Sequence, residues 1–233
     1  AIVDWLEAKM CSTNELEGTT ILVTAGGTQE SIDPVRYIGN RSSGKMGYAI
    51  AEQAVRMGAK VILVSAPTSL PIPSGVDFIS VDSAVSMQEA VEARYNDVNV
   101  VIMAAAVSDF RVLHKAEQKI KKMESMTIEL VKNPDILQGL GSKKNHQILV
   151  GFAAETEHVI KYGQDKVARK NLDMLVANDV SKSNAGFNVD TNEGYFLYPD
   201  KEPKEMPNMK KSELARHILR EVIDLVANKA DIN

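Results

Sequence analysis

Apolar runs alternate with helical stripes through the first half of the chain. The β-branched run TILVTA (20–25), closed by two glycines, predicts a buried strand. From Ser43 to Met57 the apolar residues recur on one helical stripe, with Gly58 as the C-cap. The pattern continues with strands at 61–65, 76–81 and 98–107 and a helix at 85–95 before the last of them. This alternation predicts a parallel sheet with helices on its faces.

The second half of the chain repeats the alternation less regularly. QILVGFAAE (147–155) and DMLVAND (173–179) predict two more strands, with a helix from 156 to 170 between them. YFLYP (195–199) predicts an antiparallel edge element, and 211–229 predicts a closing amphipathic helix. We therefore expect an α/β fold with a Rossmann-like, open and mostly parallel sheet and helices on both faces.

A polar, basic and weakly periodic stretch at 108–132 interrupts this pattern. Loops this long inside a compact domain are usually functional or disordered, so we expect this flap segment, residues 108–132, to act as a lid over a site. The chain from 19 to 233 is predicted to be one domain. Residues 1–18 are predicted to be a linker or a short N-terminal helix.

Composition narrows the class of protein. Hydrophobic residues make up 44% and charged residues 25%, which is typical of a soluble globular protein, and no apolar run approaches the roughly 18 residues of a membrane span. Cys11 is the only cysteine and the four histidines are scattered, so we expect a reducing, cytoplasmic setting and no zinc site. A net charge of −4 argues against a nucleic-acid partner.

The stretch GNRSSGKM (39–46) comes close to a phosphate-binding P-loop. Gly39, Gly44 and Lys45 match G-x-x-x-x-G-K-[ST], but Met46 replaces the hydroxyl that ligates magnesium. A P-loop also begins at a strand end, whereas the predicted strand ends well before Gly39. The alternatives are a flexible loop, or a loop that holds an anion at the next helix N-terminus with Ser42 or Ser43 as N-cap.

Two other short motifs are open to more than one interpretation. TAGGTQES lacks G-x-G-x-x-G, yet Gly26, Gly27 and Thr28 lie at a strand end where open sheets bind ligands. They form either a phosphate-approaching backbone or a plain turn. Tyr162 and Lys166 match the Y-x-x-x-K pair of short-chain dehydrogenases, but without the glycine fingerprint that pair is too short to be specific.

Several segments together resemble the phosphopantothenoylcysteine synthetase family. They are TAGGTQESIDPVRYIGNRSSGKMGYAIA (24–51), AAAVSDFR (104–111), KIKK (119–122), VKNPDI (131–136), GFAAET (151–156) and KNLDMLVANDV (170–180), in the family's order. The resemblance runs from about Leu16 to the C-terminus. It implies a homodimeric ligase that joins 4′-phosphopantothenate to L-cysteine through an acyl-cytidylate, using CTP and Mg²⁺ and releasing CMP and pyrophosphate. In bacteria such a domain is commonly fused to a flavin-dependent decarboxylase, which 1–15 would link to it; a stand-alone enzyme is the alternative.

The resemblance assigns catalytic roles to three residues. Asn40 matches the family's catalytic asparagine, and its amide can donate to a developing oxyanion. Lys119, in K-x-K-K, matches a flap lysine that closes on the triphosphate, with a solvated basic loop as the alternative. Arg36 can bind a carboxylate or phosphate through its planar fork, or form a structural ion pair with Asp33.

The remaining predicted site residues divide by ligand. For phosphopantothenate they are Asn40, Arg41, Ser42, Ser43 and Lys45, the serines and the lysine having helix capping and a surface charge as alternatives. For CTP they are Gly26, Gly27, Thr28, Met103, Ala104, Ala105, Asp109, Lys119, Asn133, Pro134, Asp135, Ile136, Phe152, Lys166 and Lys170. Within this set the resemblance assigns base recognition to 133–136 and triphosphate binding to the last two lysines. No metal ligand can be assigned.

Two other functions remain open from the sequence. One is a nicotinamide-dependent oxidoreductase on the same fold class, against which the missing G-x-G-x-x-G argues. The other is a module that binds CTP without turnover, against which Asn40 and Lys119 argue, because a sensor needs no donor aimed at an acyl intermediate.

Overall fold

The predicted apolar runs form the strands of one large sheet in a computed structural model, which describes residues 13–155, 157–179 and 190–230. The strands are β1 (Thr20–Ala25), β2 (Gln29–Ser31), β3 (Tyr37–Gly39), β4 (Lys60–Ser65), β5 (Val76–Ser80), β6 (Val100–Met103), β7 (Phe110–Val112), β8 (Leu130–Lys132), β9 (Ile148–Glu155), β10 (Met174–Asp179), β11 (Thr191–Leu197) and β12 (Lys204–Lys210). The helices are α1 (Lys45–Arg56), α2 (Ala84–Glu92), α3 (Ile136–Ser142), α4 (Val159–Arg169) and α5 (Lys211–Ala230).

The sheet has the order β12-β11-β10-β9-β6-β1-β4-β5. All pairs from β10 to β5 are parallel, which confirms the predicted open and mostly parallel sheet. The chain leaves β1 towards β4 on one side and returns to β6 on the other. In open α/β sheets, a ligand crevice forms beside the carboxyl ends of the strands at such a reversal.

Helices cover both faces of the sheet, as predicted. Alternate residues of β1 belong to two apolar layers: Ile21 packs with α1 and α5 residues, and Leu22 packs with residues of α2, α3 and α4. Because side chains alternate across a strand, a continuous apolar run is buried on both faces. The two layers hold the strand ends in fixed positions.

The antiparallel edge is larger than the sequence predicts. YFLYP falls mainly within β11, which pairs antiparallel with β10, so the predicted antiparallel element is confirmed. Its predicted edge position is not, because β12 lies outside β11. The strand β12 was not predicted, because KEMPNMK is polar and contains Pro207, and Met206 is its only buried residue. It pairs antiparallel with β11 and forms the edge, where proline is tolerated.

The N-terminus of α1 corrects the predicted cap. The N-cap is Gly44, with φ 74° and no side-chain capping bond, instead of Ser42 or Ser43. A Cβ at Gly44 would lie 2.6 Å from Cγ2 of Thr68, so the loop approaches its neighbour too closely for a side chain. Gly58 follows the helix with φ 91°, as predicted for its end.

The flap segment is partly ordered by a small ribbon. Its ends form the antiparallel pair β7–β8, and the N–H of Leu113 donates to Glu129 at 2.9 Å. A second ribbon, β2–β3, lies beside it. These three-residue strands are too short to give a period in the sequence.

The N-terminal prediction is only partly within the described residues. Leu16 is buried in the core, and its N–H donates to Met57 at 2.8 Å, so 13–18 packs against the domain. Residues 1–12, with Cys11, lie outside the described part, as do the first residue of the predicted 156–170 helix and the end of the 170–180 block. No helix in the described ranges is long and apolar enough to cross a membrane.

Candidate functional site

Two adjoining cavities lie at the carboxyl ends of β1, β6 and β9. The larger has a volume of about 370 Å³ and the smaller about 230 Å³. They share Ala105, Val107, Asp109 and Phe152, so they form one cleft with two compartments. The cleft lies at the reversal of strand order, where open α/β sheets bind ligands.

The floor of the cleft is fixed by bonds between the ends of β1 and β6. The N–H of Ala105 donates to Oγ1 of Thr24 at 3.1 Å, and the N–H of Ser108 donates to Oγ1 of Thr28 at 2.9 Å. Thr24 and Thr28 are both buried. The loop that carries the small residues and Asp109 is therefore held by threonine hydroxyls at two points.

The paired glycines serve packing in this structure. A Cβ at Gly26 would lie 2.6 Å from the Ala66 oxygen, and one at Gly27 would lie 2.9 Å from the Asn40 oxygen. Gly26, Gly27 and Thr28 line neither cavity. The plain-turn alternative accounts for them, and their predicted contact with a phosphate stays a prediction.

Asn40, the residue predicted to supply the catalytic amide, lines the larger cavity. Its Nδ2 donates to the Val107 oxygen at 3.2 Å and lies 3.4 Å from the Ala106 oxygen. Its side chain is therefore held against the β6 loop. The predicted substrate residues Ser42, Ser43 and Lys45 line the same cavity, whereas Arg41 is exposed and lines neither.

Residues that sequence reasoning missed form another wall of the larger cavity: Asn178 at the end of β10, Asn192 in β11 and Lys211 at the start of α5. Burial, and then the nearby charge of Lys45, lower the pKa of Lys211. Lys45 pairs with Asp190 at 2.6 Å, and this bond lowers the pKa of that carboxyl. Asn178 could have been found, because it lies near the end of an apolar parallel strand. The other two depend on the β11–β12 hairpin, in which β12 was not predicted.

The smaller cavity is lined by the predicted base-reading stretch, 133–136. Asn133 is buried: its Nδ2 donates to the Ser108 oxygen at 2.8 Å and its Oδ1 accepts from Nη1 of Arg111 at 3.1 Å. Asp135 is the N-cap of α3, accepting from the N–H of Gln138 at 3.0 Å. Residues 133–135 therefore precede a helix, as predicted, and the side chains of Asn133 and Asp135 are already hydrogen-bonded.

An ion pair joins this stretch to α4. Nζ of Lys170 lies 2.8 Å from Oδ2 of Asp135. Burial opposes ionisation of Asp135, but the bonds from Lys170 and Gln138 outweigh it and lower the pKa of this carboxyl. One turn earlier, Lys166 lines the larger cavity. One helix face thus supplies a lysine to each compartment, and Phe152 lies between them, half-buried.

Arg36 and Lys119 lie outside both cavities. The guanidinium of Arg36 binds the buried carboxylate of Asp33 and donates to the Ile120 oxygen at 2.8 Å. Oδ2 of Asp33 also accepts from the N–H of Ile120 at 3.1 Å, and Arg36 lowers the pKa of Asp33 well below its usual range. The ion-pair alternative for Arg36 is therefore present. It fixes the flap segment one residue after Lys119, which is itself exposed.

A protein-only metal site does not fit the described residues, since these contain no cluster of three His, Cys, Asp or Glu side chains. The exposed carboxylate of Asp109 lines both cavities. Its position suits a magnesium ion that arrives with a triphosphate, because Mg²⁺ is usually bound through one or two carboxylates and substrate phosphates.

Sequence and structure comparisons match this chain to the same group of proteins. The coenzyme A biosynthesis bifunctional protein CoaBC of Bacillus subtilis (strain 168) is 49% identical over 212 residues, which cover 90% of this chain and 52% of that protein. The crystal structure of the C-terminal domain of a CoaBC protein matches with a TM-score of 0.80 at 44% identity, covering 93% of this chain and 100% of that one. A Cab2 variant in complex with phosphopantothenate-cysteine shares the fold, with a TM-score of 0.71 at 18% identity. The match covers 99% of this chain and 95% of that one.

The chain spans about half the length of the curated relatives it matches. The family model of the DNA/pantothenate metabolism flavoprotein C-terminal domain matches residues 16–226, and the resemblance seen in the sequence is confirmed. The chain therefore belongs to the family of the DNA/pantothenate metabolism flavoprotein C-terminal domain.

Proposed function

We propose that this domain is a CTP-dependent ligase that joins 4′-phosphopantothenate to L-cysteine in coenzyme A biosynthesis. The observation that carries the proposal is the cleft with two compartments, in which Asn40 lines one and 133–136 lines the other. A ligation through an acyl-nucleotide requires an acyl site and a base site that meet at the α-phosphate. The name of the 49% identical relative, a coenzyme A biosynthesis protein, supports this substrate class.

In the first step, a carboxylate oxygen of phosphopantothenate attacks the α-phosphorus of CTP. The bond from that phosphorus to the bridging oxygen breaks, and pyrophosphate leaves with the electron pair. Lys166 and Lys170 supply positive charge to the triphosphate from one helix face, and Lys119 approaches from the flap segment. A nucleotide-bound Mg²⁺ would neutralise phosphate charge beside Asp109.

In the second step, the amine of cysteine attacks the acyl carbon. A carbon–nitrogen bond forms, the acyl carbon–oxygen bond breaks with its electron pair on CMP, and the amine loses one proton. Charge develops on the acyl oxygen during this attack, and Nδ2 of Asn40 can donate to it. An amide is suitable because it donates without titrating. Small side chains at Ala104 and Ala105 leave room for the acyl group in the same cavity.

The test is pyrophosphate release by purified protein with Mg²⁺, phosphopantothenate, and CTP or ATP, with and without cysteine. We expect release that depends on CTP, with the amide and free CMP appearing only when cysteine is present. Pyrophosphate release with ATP but not with CTP would overturn the assignment of CTP as the nucleotide. Binding of CTP without any release would favour the non-catalytic module instead.

We also propose that the domain forms a homodimer through its two small ribbons. Exposed apolar side chains cluster there: Val35 and Tyr37 on the β2–β3 hairpin, and Phe110, Leu113 and Leu130 on and beside β7–β8. The ribbons lie side by side, with β2 against β7, so these exposed residues belong to neighbouring elements. Contiguous exposed apolar surface is typical of a protein interface.

Sedimentation velocity of Phe110→Glu tests this face. We expect a concentration-dependent dimer for the unmodified protein and a monomer for the variant, because an unpaired charge would be buried at the contact. A variant dimer as tight as the unmodified one would place the contact elsewhere.

We further propose that the enzyme is cytoplasmic, and that in its full-length form it is fused to a flavin-dependent decarboxylase.

A further inference from the structure

One wall of the larger cavity carries polar groups that the proposed steps leave unused. Asn178, Asn192 and Lys211 come from β10, β11 and α5, and all three line the same cavity as Asn40. None of them belongs to the stretches that suggested the phosphopantothenate or nucleotide contacts at 40–45 and 133–136. The wall lies where the sheet changes from parallel to antiparallel pairing, at β10 and β11, whereas the nucleotide compartment is built at the ends of the parallel strands.

This wall is held rigidly by backbone contacts. Asn178 lies opposite Gly194 in the β10–β11 pair, and a Cβ at Gly194 would lie only 1.9 Å from the Ala177 oxygen. The two strands therefore approach more closely than any side chain at Gly194 would allow. At the other end, the N–H of Lys211 donates to the Asp190 oxygen at 2.9 Å, which connects the start of α5 to β11.

The two asparagine side chains of the wall have incomplete hydrogen bonding. Within the described part of the chain, the buried Oδ1 atoms of Asn178 and Asn192 accept no hydrogen bond. The asparagine in β11 is only 2% exposed, and its Nδ2 has only a long contact, 3.8 Å, to Sδ of Met46. Buried acceptors without donors are costly, so each one in a native structure calls for an explanation, and a ligand that supplies the donor is one.

Lys211 adds a positive charge to the same wall. It is 7% exposed, and burial lowers the pKa of its ammonium group, with Lys45 adding to the effect and Asp190 opposing it. A buried ammonium gains most from an anion that enters the cavity with it. Lys45, which lines the same cavity, is bonded to Asp190 at 2.6 Å.

We propose that this wall binds the amino-acid substrate: Lys211 pairs with the α-carboxylate, and the amide oxygens of Asn178 and Asn192 accept hydrogen bonds from the α-amine. An α-amino acid presents an anion and N–H donors on one carbon, which matches an ammonium group beside two acceptors. A phosphate dianion offers no hydrogen to those acceptors. The inference deepens the proposed function and rests on it, because the amine must reach the acyl group near Asn40.

The test separates the two half-reactions in Lys211→Met and Asn192→Leu. Pyrophosphate release in a single turnover without cysteine should stay within about twofold of the unmodified protein, whereas KM for cysteine should rise about tenfold or more, as for the loss of one polar contact to a substrate. Lys210→Met is the matched control, since this neighbouring lysine is exposed and lines neither cavity.

Cysteamine, which lacks the carboxylate, gives a second readout. The unmodified protein should prefer cysteine to cysteamine in kcat/KM, and Lys211→Met should lose most of that preference, with Lys211→Arg restoring part of it. Asn192→Leu should retain the preference, because the amine contact is common to both substrates. If Asn192→Leu does not fold, Asn178→Ala at a half-buried side chain replaces it.

Each contrary outcome has a distinct meaning. A rise in KM for phosphopantothenate, with the KM for cysteine unchanged, would overturn the inference and assign the wall to the other substrate. An unchanged preference for cysteine over cysteamine in Lys211→Met would also overturn it. Absence of pyrophosphate release in the unmodified protein would instead overturn the proposed ligase itself.

Discussion

The two compartments of the cleft share part of their lining but differ in the state of their polar groups. In the smaller one, Asn133 uses both ends of its amide, and Asp135 is bonded to Lys170 and to the start of α3. In the larger one, the oxygens of Asn178 and Asn192 accept nothing from the described residues. The first compartment is organised before any ligand binds, whereas in the proposed binding mode the second is completed by its ligand.

The difference indicates how each compartment recognises its ligand. A planar base can be recognised by backbone groups that side chains hold in place, and such a site needs little rearrangement. A small flexible substrate is better recognised by groups that it alone can satisfy, because a wrong ligand then leaves them unpaired. Substitutions that affect one compartment and spare the other test this contrast.

The largest expected effect is that of Asn40→Asp in the larger compartment. Replacing the amide donor by a carboxylate removes the hydrogen bond to the acyl oxygen, so amide formation should slow by about 10²–10³-fold. Acyl-nucleotide formation should persist, and rapid-quench detection of that intermediate is the measurement. Asn145→Asp, at an exposed site before β9, is the control. Equal loss of both half-reactions would contradict a role in the second step.

Gly27→Ala should displace the loop at 40–42, which lines the larger compartment. Its Cβ would lie 2.9 Å from the Asn40 oxygen and 3.2 Å from Cβ of Ser42, so the loop must shift. We expect a loss of about 1–3 kcal/mol in the free energy of unfolding and slower ligation. In Gly139→Ala, a new Cβ meets nothing within 4 Å inside α3, and stability should rise by up to about 1 kcal/mol. Urea denaturation measures both, and similar losses would refute the steric explanation.

The contrast in hydrogen bonding predicts opposite stabilities for two similar substitutions. Asn133→Leu leaves the Ser108 oxygen and Arg111 without their partner, and should cost about 1–3 kcal/mol of unfolding free energy. Asn192→Leu removes an acceptor that has no donor, so the ligand-free protein should be unchanged or more stable. Thermal denaturation without ligands is the measurement. Equal destabilisation of the two variants would mean that both amides are satisfied in the free protein.

The smallest expected effect is the pH dependence of the Asp135–Lys170 pair. The folded-state pKa of Asp135 is lowered, so its contribution is complete above the unfolded pKa of about 3.9 and is lost as pH falls below it. Because this carboxylate is 43% exposed, the contribution should be under about 1 kcal/mol. Asp135→Asn keeps a capping oxygen and removes only the charge.

Melting temperatures between pH 7 and pH 3 measure this contribution. The difference in melting temperature between the unmodified protein and Asp135→Asn should shrink as the pH falls towards 3. A gap in melting temperature that is as large at pH 3 as at pH 7 would contradict this prediction, because it would show that the charge of Asp135 does not cause the difference.

How much of this could be predicted from the sequence depends on the range of the interactions. The strands β1, β4, β6 and β9 were predictable because buried parallel strands are continuous apolar runs. The wall at Asn192 and Lys211 was not, since it depends on the pairing of β11 with the polar strand β12. Pattern alone left Asn40 as one residue of an ambiguous loop, and only the family resemblance gave it a role.

The hydrogen bonds of Ile120 affect the conformational entropy of the flap segment. The N–H of Ile120 donates to Asp33, and its carbonyl oxygen accepts from Arg36. At the base of the flap segment, the N–H of Leu113 donates to the Glu129 oxygen. The backbone beside Lys119 has therefore lost its conformational entropy when the protein folds. The arc at 121–128 that follows is exposed except at Ile128. In the proposed reaction, the triphosphate would therefore meet Lys119 on backbone that is already fixed, at a high effective concentration.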